Sequence, residues 1–190
     1  PTRRSSDLIA AVHPAFLLRG NGSFREFKSD IAHAILIAQG HEPHHWEPPT
    51  WSIIQTPEEI EEQAKFLMAQ EPGFLVAGDI ETSGFSPRYN KILNMGHTWD
   101  GKHIHITCGY KTDALTKKIA PNLIHHYGKL FHPKHIKWGW HNGKFDCKFF
   151  HAIGQTDARV DEDSMLQSYS LDERRGIHDL ETVSGDWLYS

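Results

Sequence analysis

Cysteine is nearly absent from this sequence of 190 residues: only Cys108 and Cys147 occur, with no metal-ligand spacing. That excludes a disulfide framework and a cysteine-built zinc site, and it fits a reducing setting with both thiols unpaired. Long apolar runs are missing as well. The longest, Ile31–Ala38, is far too short to cross a bilayer, and no secretory signal is visible. No charge sign dominates: 20 Lys and Arg stand against 24 Asp and Glu, a formal net charge of −4. Such mild acidity argues against a protein that grips nucleic acid mainly by phosphate neutralisation. It leaves room for one that holds a short stretch of strand through bound metal. The hydrophobic content, 38%, suits one medium domain with extra segments and excludes a disordered or membrane-embedded chain.

The ends are unusual. Residue 1 is Pro, and the first methionine is Met68. Residues 1–8 look like the translation of a sequencing-adapter oligonucleotide and are set aside as an assembly scar. Asp186–Ser190 stops inside a predicted helix, so the sequence is expected to be an internal piece of a longer protein.

Two compositional units follow. Residues 9–40 begin with a strand-like piece ending at His13-Pro14 and a Gly-Asn-Gly turn. A helix is predicted from Phe24 to Gly40, with Phe24, Phe27, Ile31, Ala34 and Ile35 at helical spacing. Residues 41–55 read as a Pro- and His-rich linker. Residues 56–190 form the second unit. Thr56-Pro57-Glu58-Glu59 is a capping box with Pro at the first helical position, predicting a helix from Pro57 to about Gln70. Pro72-Gly73 ends it. Strands are predicted up to Asp79, over Ile92–Trp99 and over His103–Gly109, the last two joined by the hairpin signal Asp100-Gly101. A helix over Thr112–Phe131, a strand Ile136–Trp140 and a helix Gly143–Ile153 come next. A short strand near Arg159-Val160 and helices at Asp163–Leu171 and from His178 complete the order. A hairpin followed by alternating strands and helices predicts an α/β domain with a mixed β-sheet flanked by helices, beside a small N-terminal strand-helix remnant.

Chemistry concentrates at two places. Phe74-Leu-Val-Ala-Gly-Asp79-Ile-Glu81-Thr82 is an apolar strand ending in carboxylates at i and i+2, which project from the same strand face. Carboxylates held that close repel unless a cation shares them or one is protonated, and a hard divalent ion resolves this. The alternative is a solvated strand end. The second place is His141-Asn142-Gly143-Lys144-Phe145-Asp146, at a strand-to-helix junction, where open α/β sheets usually bind ligands. Asp146 could converge on Asp79 and Glu81, or it and Asn142 could simply cap the helix.

Together, Asp79-Ile-Glu81-Thr82 and Asn142-Gly-Lys-Phe145-Asp146 resemble the first two motifs of the DEDD superfamily of 3′→5′ exonucleases. The closer likeness is to the proofreading domain of family A DNA polymerases, including phage enzymes. It extends over Asp163–Tyr169 and Gly176–Leu180. The resemblance implies an RNase H-like fold and hydrolysis of a terminal phosphodiester with two Mg²⁺ (or Mn²⁺) ions. Such a pair, roughly 4 Å apart, clamps the attacking and leaving oxygens. By carry-over, Asp79, Glu81 and Asp146 are the catalytic and metal-binding residues. Thr82 and Asn142 position the terminal nucleotide, and Phe145 is core. The implied partners are the 3′ end of single-stranded DNA and a polymerase domain of the same parent chain, with no membrane. The implied location is the cytoplasm of a bacterium or a phage-infected host. A free-standing RNase D-like RNA exonuclease and a non-catalytic nucleic-acid-binding RNase H-like domain are the alternatives.

One departure stands out. The third motif of the family, a Tyr-x₃-Asp or a His-x₄-Asp, is missing: no Tyr-x₃-Asp occurs, His141-x₄-Asp146 matches only numerically because Asp146 already belongs to the second motif, and His178 has Val183 at the required position. Activity of the fragment itself is therefore expected to be impaired. Upstream, Val12-His13-Pro14-Ala15-Phe16-Leu17 is similar to a late motif of uracil-DNA glycosylases. The similarity implies that residues 9–40 are a remnant of such a domain, with His13 and Leu17 at its uracil-contacting and wedge positions. Glycosylase activity is not expected, since the water-activating motif and the uracil pocket are absent.

Overall fold

Alternation along β2, Leu75–Thr82, organises the larger of two units in the computed structural model. Val76 and Ile80 are buried on one face, while Leu75, Ala77, Asp79 and Glu81 are exposed on the other. The structure describes residues 13–15, 24–40, 47–109, 122–173 and 176–188. The chain divides into a unit of residues 48–180 and another of 1–47 with 181–190. In the smaller unit α1 spans Phe24–Ala38 and ends at Gly40, whose φ of 87° suits only glycine. His13 is exposed, and its Nδ1 accepts a hydrogen bond from the Ala15 backbone at 3.1 Å, closing a local turn. Leu17 and the strand-like piece before His13 lie outside the described residues.

The larger unit holds a six-stranded sheet in the order β1-β4-β3-β2-β5-β6. Its strands are β1 Thr50–Ile53, β2, β3 Ile92–Thr98, β4 His103–Cys108, β5 Lys137–Trp140 and β6 Glu162–Asp163. β2 runs antiparallel to β3 and parallel to β5, and β3 runs antiparallel to β4. The helices are α2 Pro57–Met68, a 3₁₀ helix Ile124–Phe131, α3 Gly143–Ala152 and α4 Ser164–Leu171. A further helix, α5, covers Leu180–Leu188. The mixed sheet with flanking helices matches the expected fold class. Among the described residues no helix is long and apolar enough to cross a membrane.

Local chemistry explains the boundaries. Thr56 Oγ1 accepts from the Glu59 backbone at 3.2 Å, as the capping motif requires, while the Glu59 carboxylate reaches back one residue farther, to the Gln55 N–H. Asp100 Oδ1 accepts from the Lys102 and His103 backbones, and Gly101 has φ of 67°, fixing the β3–β4 hairpin. Trp138, Tyr127, Phe131, Phe149 and Phe150 are fully buried. Each such side chain contributes roughly 1.5–3 kcal/mol on leaving water.

Three expectations need correction. The linker over 41–55 contains β1, which pairs in parallel with β4. The His103 ring bridges Thr50 Oγ1 and Ser52 Oγ across that pair, at 2.7 and 2.9 Å. The helix expected over 112–131 is, in its described part, the 3₁₀ helix. Ile124, Tyr127 and Leu130 are all buried three apart, a spacing that a 3₁₀ helix stacks in one row; residues 110–121 lie outside the described residues. The strand expected near Arg159-Val160 begins instead at Glu162. The Arg159 guanidinium donates to the carbonyls of Phe131, Pro133 and Ile136 and pairs through Nε with Asp161, while the Arg159 backbone carbonyl accepts from Trp140 Nε1.

Candidate active site

The exposed face of β2 opens into a cleft of about 370 Å³. Asp79 and Glu81 line it from β2, Asn94 and Gly96 from β3, and Ile104 and Ile106 from β4. Pairing of β2 with β3 shifts register between Glu81 and Thr82, so the strand is irregular just where it leaves the sheet. Thr82 Oγ1 donates to the Gly84 carbonyl at 2.8 Å.

Beside β2, the junction of its parallel neighbour β5 with α3 carries Asn142 and Asp146. Asn142 is the one described non-glycine residue with positive φ, 64°, and its side chain makes no capping bond. What holds that backbone is Asp163, at the start of α4. Its Oδ1 accepts from Asn142 N at 3.1 Å, and its Oδ2 accepts from Gly143 N at 2.9 Å. Oδ1 also accepts from Met165 N and Leu166 N, capping α4. One buried carboxylate thus ties two helix starts together. Gly143 is required beside it, because a Cβ there would lie 2.6 Å from Trp140 Cβ.

Asp146, in the first turn of α3, is 3% exposed, and its Oδ1 accepts from the Ile80 backbone at 3.2 Å. Burial first, and the charge of Asp79 second, push its pKa up to about 7. Burial also raises Asp79, partly offset by the Ile80 N–H and by the charge of His141. The structure therefore brings Asp79 and Asp146 into electrostatic contact. Glu81 shares the face of Asp79, but among the described residues no group of three or more His, Cys, Asp or Glu is gathered to hold a metal. Cys147 follows Asp146, and burial pushes its thiol up to about 12, so it is no nucleophile. Phe145 packs against the core, as expected, with its ring 5.1 Å from that of Phe149.

Several residues around this site escape a reading of the sequence. His141 Nδ1 hydrogen-bonds Ser164 Oγ at 2.9 Å, beside Asp79. Asp163 signals only a helix start in sequence, an Asp ahead of Ser-Met-Leu; its grip on Asn142 comes from 21 residues away. Of the other histidines, His97 is buried with both ring nitrogens unpartnered, His105 contacts Gln63, and His103 serves β1. Lys129 and Lys134 pair with Glu61 and Asp157, whereas Lys111, Lys117 and Lys118 lie outside the described residues.

The model of the 3′-5′ exonuclease family of family A DNA polymerases matches residues 51–188. The chain belongs to that family. It is 31% identical to the DNA polymerase of Escherichia phage T5 over 140 residues, 69% of this chain and 15% of the relative. The chain thus spans about 15% of the length of that curated relative. Among solved structures, Escherichia coli RNase D, an exoribonuclease involved in structured RNA processing, is similar with a TM-score of 0.52 and 12% identity, over 73% of this chain and 33% of that one. Brucella melitensis NrnC bound to pGG is similar with a TM-score of 0.51 and 17% identity, covering 75% and 63%. These two structures share the RNase H-like fold of this chain.

Proposed function

We propose that this exonuclease domain removes nucleotides from the 3′ end of single-stranded DNA, as the proofreading part of a longer family A DNA polymerase. On this reading it works in the cytoplasm of a bacterium or of a phage-infected host. The observation that carries the reading is the Asp79–Asp146 pair: two carboxylates, one buried, each raised in pKa. An all-oxygen donor set with surplus negative charge fits a hard divalent cation. Asp79, Glu81 and Asp146 would hold Mg²⁺ or Mn²⁺, which supplies water activation and neutralises charge on the phosphodiester oxygens. Asn142, freed from capping by Asp163, offers its amide to the terminal nucleotide, and Thr82 borders the same strand end. The phage polymerase relative favours DNA over RNA.

Asp163 is already occupied by four backbone donors, so Asp79, Glu81 and Asp146 are the three carboxylates this site would offer a metal, rather than four. Turnover is accordingly expected to be slow. The test follows 5′-labelled single-stranded DNA and RNA of matched sequence with Mg²⁺, Mn²⁺ or chelator. Slow, metal-dependent shortening of DNA from its 3′ end, abolished by Asp79→Ala, is the expected result. Metal-independent shortening, or equal shortening by Asp79→Ala, would refute the assignment.

A further inference from the structure

The loop that follows the acidic strand presents two bare aromatic rings. Phe85 is 92% exposed and Tyr89 is 78% exposed, in a molecule whose other large rings mostly pack inward. The loop itself is braced. Asn90 Oδ1 accepts from Ser86 N, Asn90 Nδ2 donates to the Ser83 carbonyl, and Ser83 Oγ accepts from Lys91 N. A turn closes it, with Asn90 N donating to the Ser86 carbonyl at 2.9 Å. Gly84 is locked under Asn90, since a Cβ would meet that amide at 2.6 Å. Rigid exposure of this kind is not explained by core packing.

Position and charge say what the rings face. The loop leaves β2 directly after Glu81 and Thr82 and re-enters the sheet at Ile92. The Phe85 ring lies 6.5 Å from that of Phe145, which precedes Asp146 in the first turn of α3, so the loop reaches the helix start that carries Asp146. Farther along the loop, the Arg88 guanidinium carbon lies 5.7 Å from the centre of the Tyr89 ring. An exposed ring with a guanidinium beside it can stack on a base while the cation meets the adjoining phosphate.

We propose that Tyr89 and Arg88 form a second stacking station, which takes a nucleotide of the single strand upstream, on the 5′ side, of the one held beside Asp79 and Asp146. This rests on the exonuclease reading. The station binds without sequence preference, because every base has a face to stack, and it acts on strands longer than a dinucleotide.

The experiment measures anisotropy of 5′-labelled oligothymidylates, from dinucleotide to octanucleotide, with Ca²⁺ in place of Mg²⁺ to restrain hydrolysis. Affinity of the unmodified chain should rise with length. Tyr89→Ala should lose roughly 5- to 150-fold on the longer strands, the worth of one base-on-ring stack, with the dinucleotide unchanged. Tyr89→Trp should restore it. Arg88→Gln should lower the salt slope of binding by about 0.7, as expected for one lost phosphate contact on a single strand. If Tyr89→Ala keeps the full length dependence, the station is wrong while the exonuclease reading survives. If the unmodified chain binds no oligonucleotide at any length, both fall.

Discussion

Replacing Asp163 is the sharpest test of how this site is held together. Its carboxylate accepts from Asn142, Gly143, Met165 and Leu166, and it is 6% exposed. Asp163→Ala removes an N-cap, worth about 0.5–2 kcal/mol. It also leaves the Gly143 N–H buried without a partner, and that of Asn142 partly so, at about 1–3 kcal/mol for each fully buried group. Release of Asn142 from its left-handed backbone returns part of this, since such a conformation costs of order 1 kcal/mol or more. The net loss is expected at about 3–5 kcal/mol, a large share of the roughly 5–15 kcal/mol that holds a typical domain folded. Asp163→Asn should cost less. Its amide oxygen can replace Oδ1, which serves Asn142 and α4, while its NH₂ confronts only the Gly143 N–H. Urea denaturation with a shared m-value gives both numbers. The ranking wild type above Asn above Ala is the expected outcome. Two variants within about 0.5 kcal/mol of wild type, below the usual cost of a lost cap, would refute the clamp.

Other expectations follow from the same geometry. In metal-free buffer the raised Asp146 makes the folded state bind the proton more tightly, so its contribution to stability is full below pH 4 and is lost as pH climbs to about 7. Asp146→Asn should remove that loss; since His97 and His105 slope the opposite way, the readout is the difference in urea midpoint between the two proteins, and parallel curves would sink the claim. His97→Leu should be within about 1 kcal/mol of neutral at pH 8, because two buried ring nitrogens without hydrogen bonds are removed while the packing on the His105 and Tyr127 rings is lost, and its stability relative to wild type should rise below pH 6.5; a thermal scan at pH 5 and 8 reads it. Gly143→Ala should destabilise by about 1–3 kcal/mol through its collision with Trp140 Cβ, measured by the same unfolding curve.

What the sequence disclosed, and what it hid, divides by range. The face carrying Asp79 and Glu81, the cap at Thr56 and the hairpin at Asp100-Gly101 depend on neighbours a few residues away, and all three were legible. β1 was not, because four residues become a strand only when β4, more than fifty residues on, supplies their hydrogen bonds. The shift of β6 to Glu162 goes with the Arg159 carbonyl being taken by the Trp140 indole, 19 residues away. Asn142 and Asp146 could be picked out by motif. The left-handed turn that frees the Asn142 side chain depends on Asp163, and the raised pKa of Asp146 depends on burial, so neither is written in local spacing.

Two buried aspartates, Asp146 and Asp163, show how partner count separates a structural carboxylate from one that awaits a ligand. Four backbone N–H groups surround Asp163, an arrangement that satisfies an ionised carboxylate without any cation. Asp146 accepts from Ile80 on one oxygen and faces the negative charge of Asp79, and its pKa rises to about 7. Burial alone does not distinguish them, since both are nearly inaccessible. The difference lies in what each lacks. Asp146 can relieve its repulsion with Asp79 by taking up a proton or by sharing a cation with it, and the two are competitors for the same charge. Divalent metal should therefore bind more tightly as pH rises through neutrality and release protons as it does so. That linkage would be absent in Asp146→Asn and intact in any variant of Asp163 that still folds.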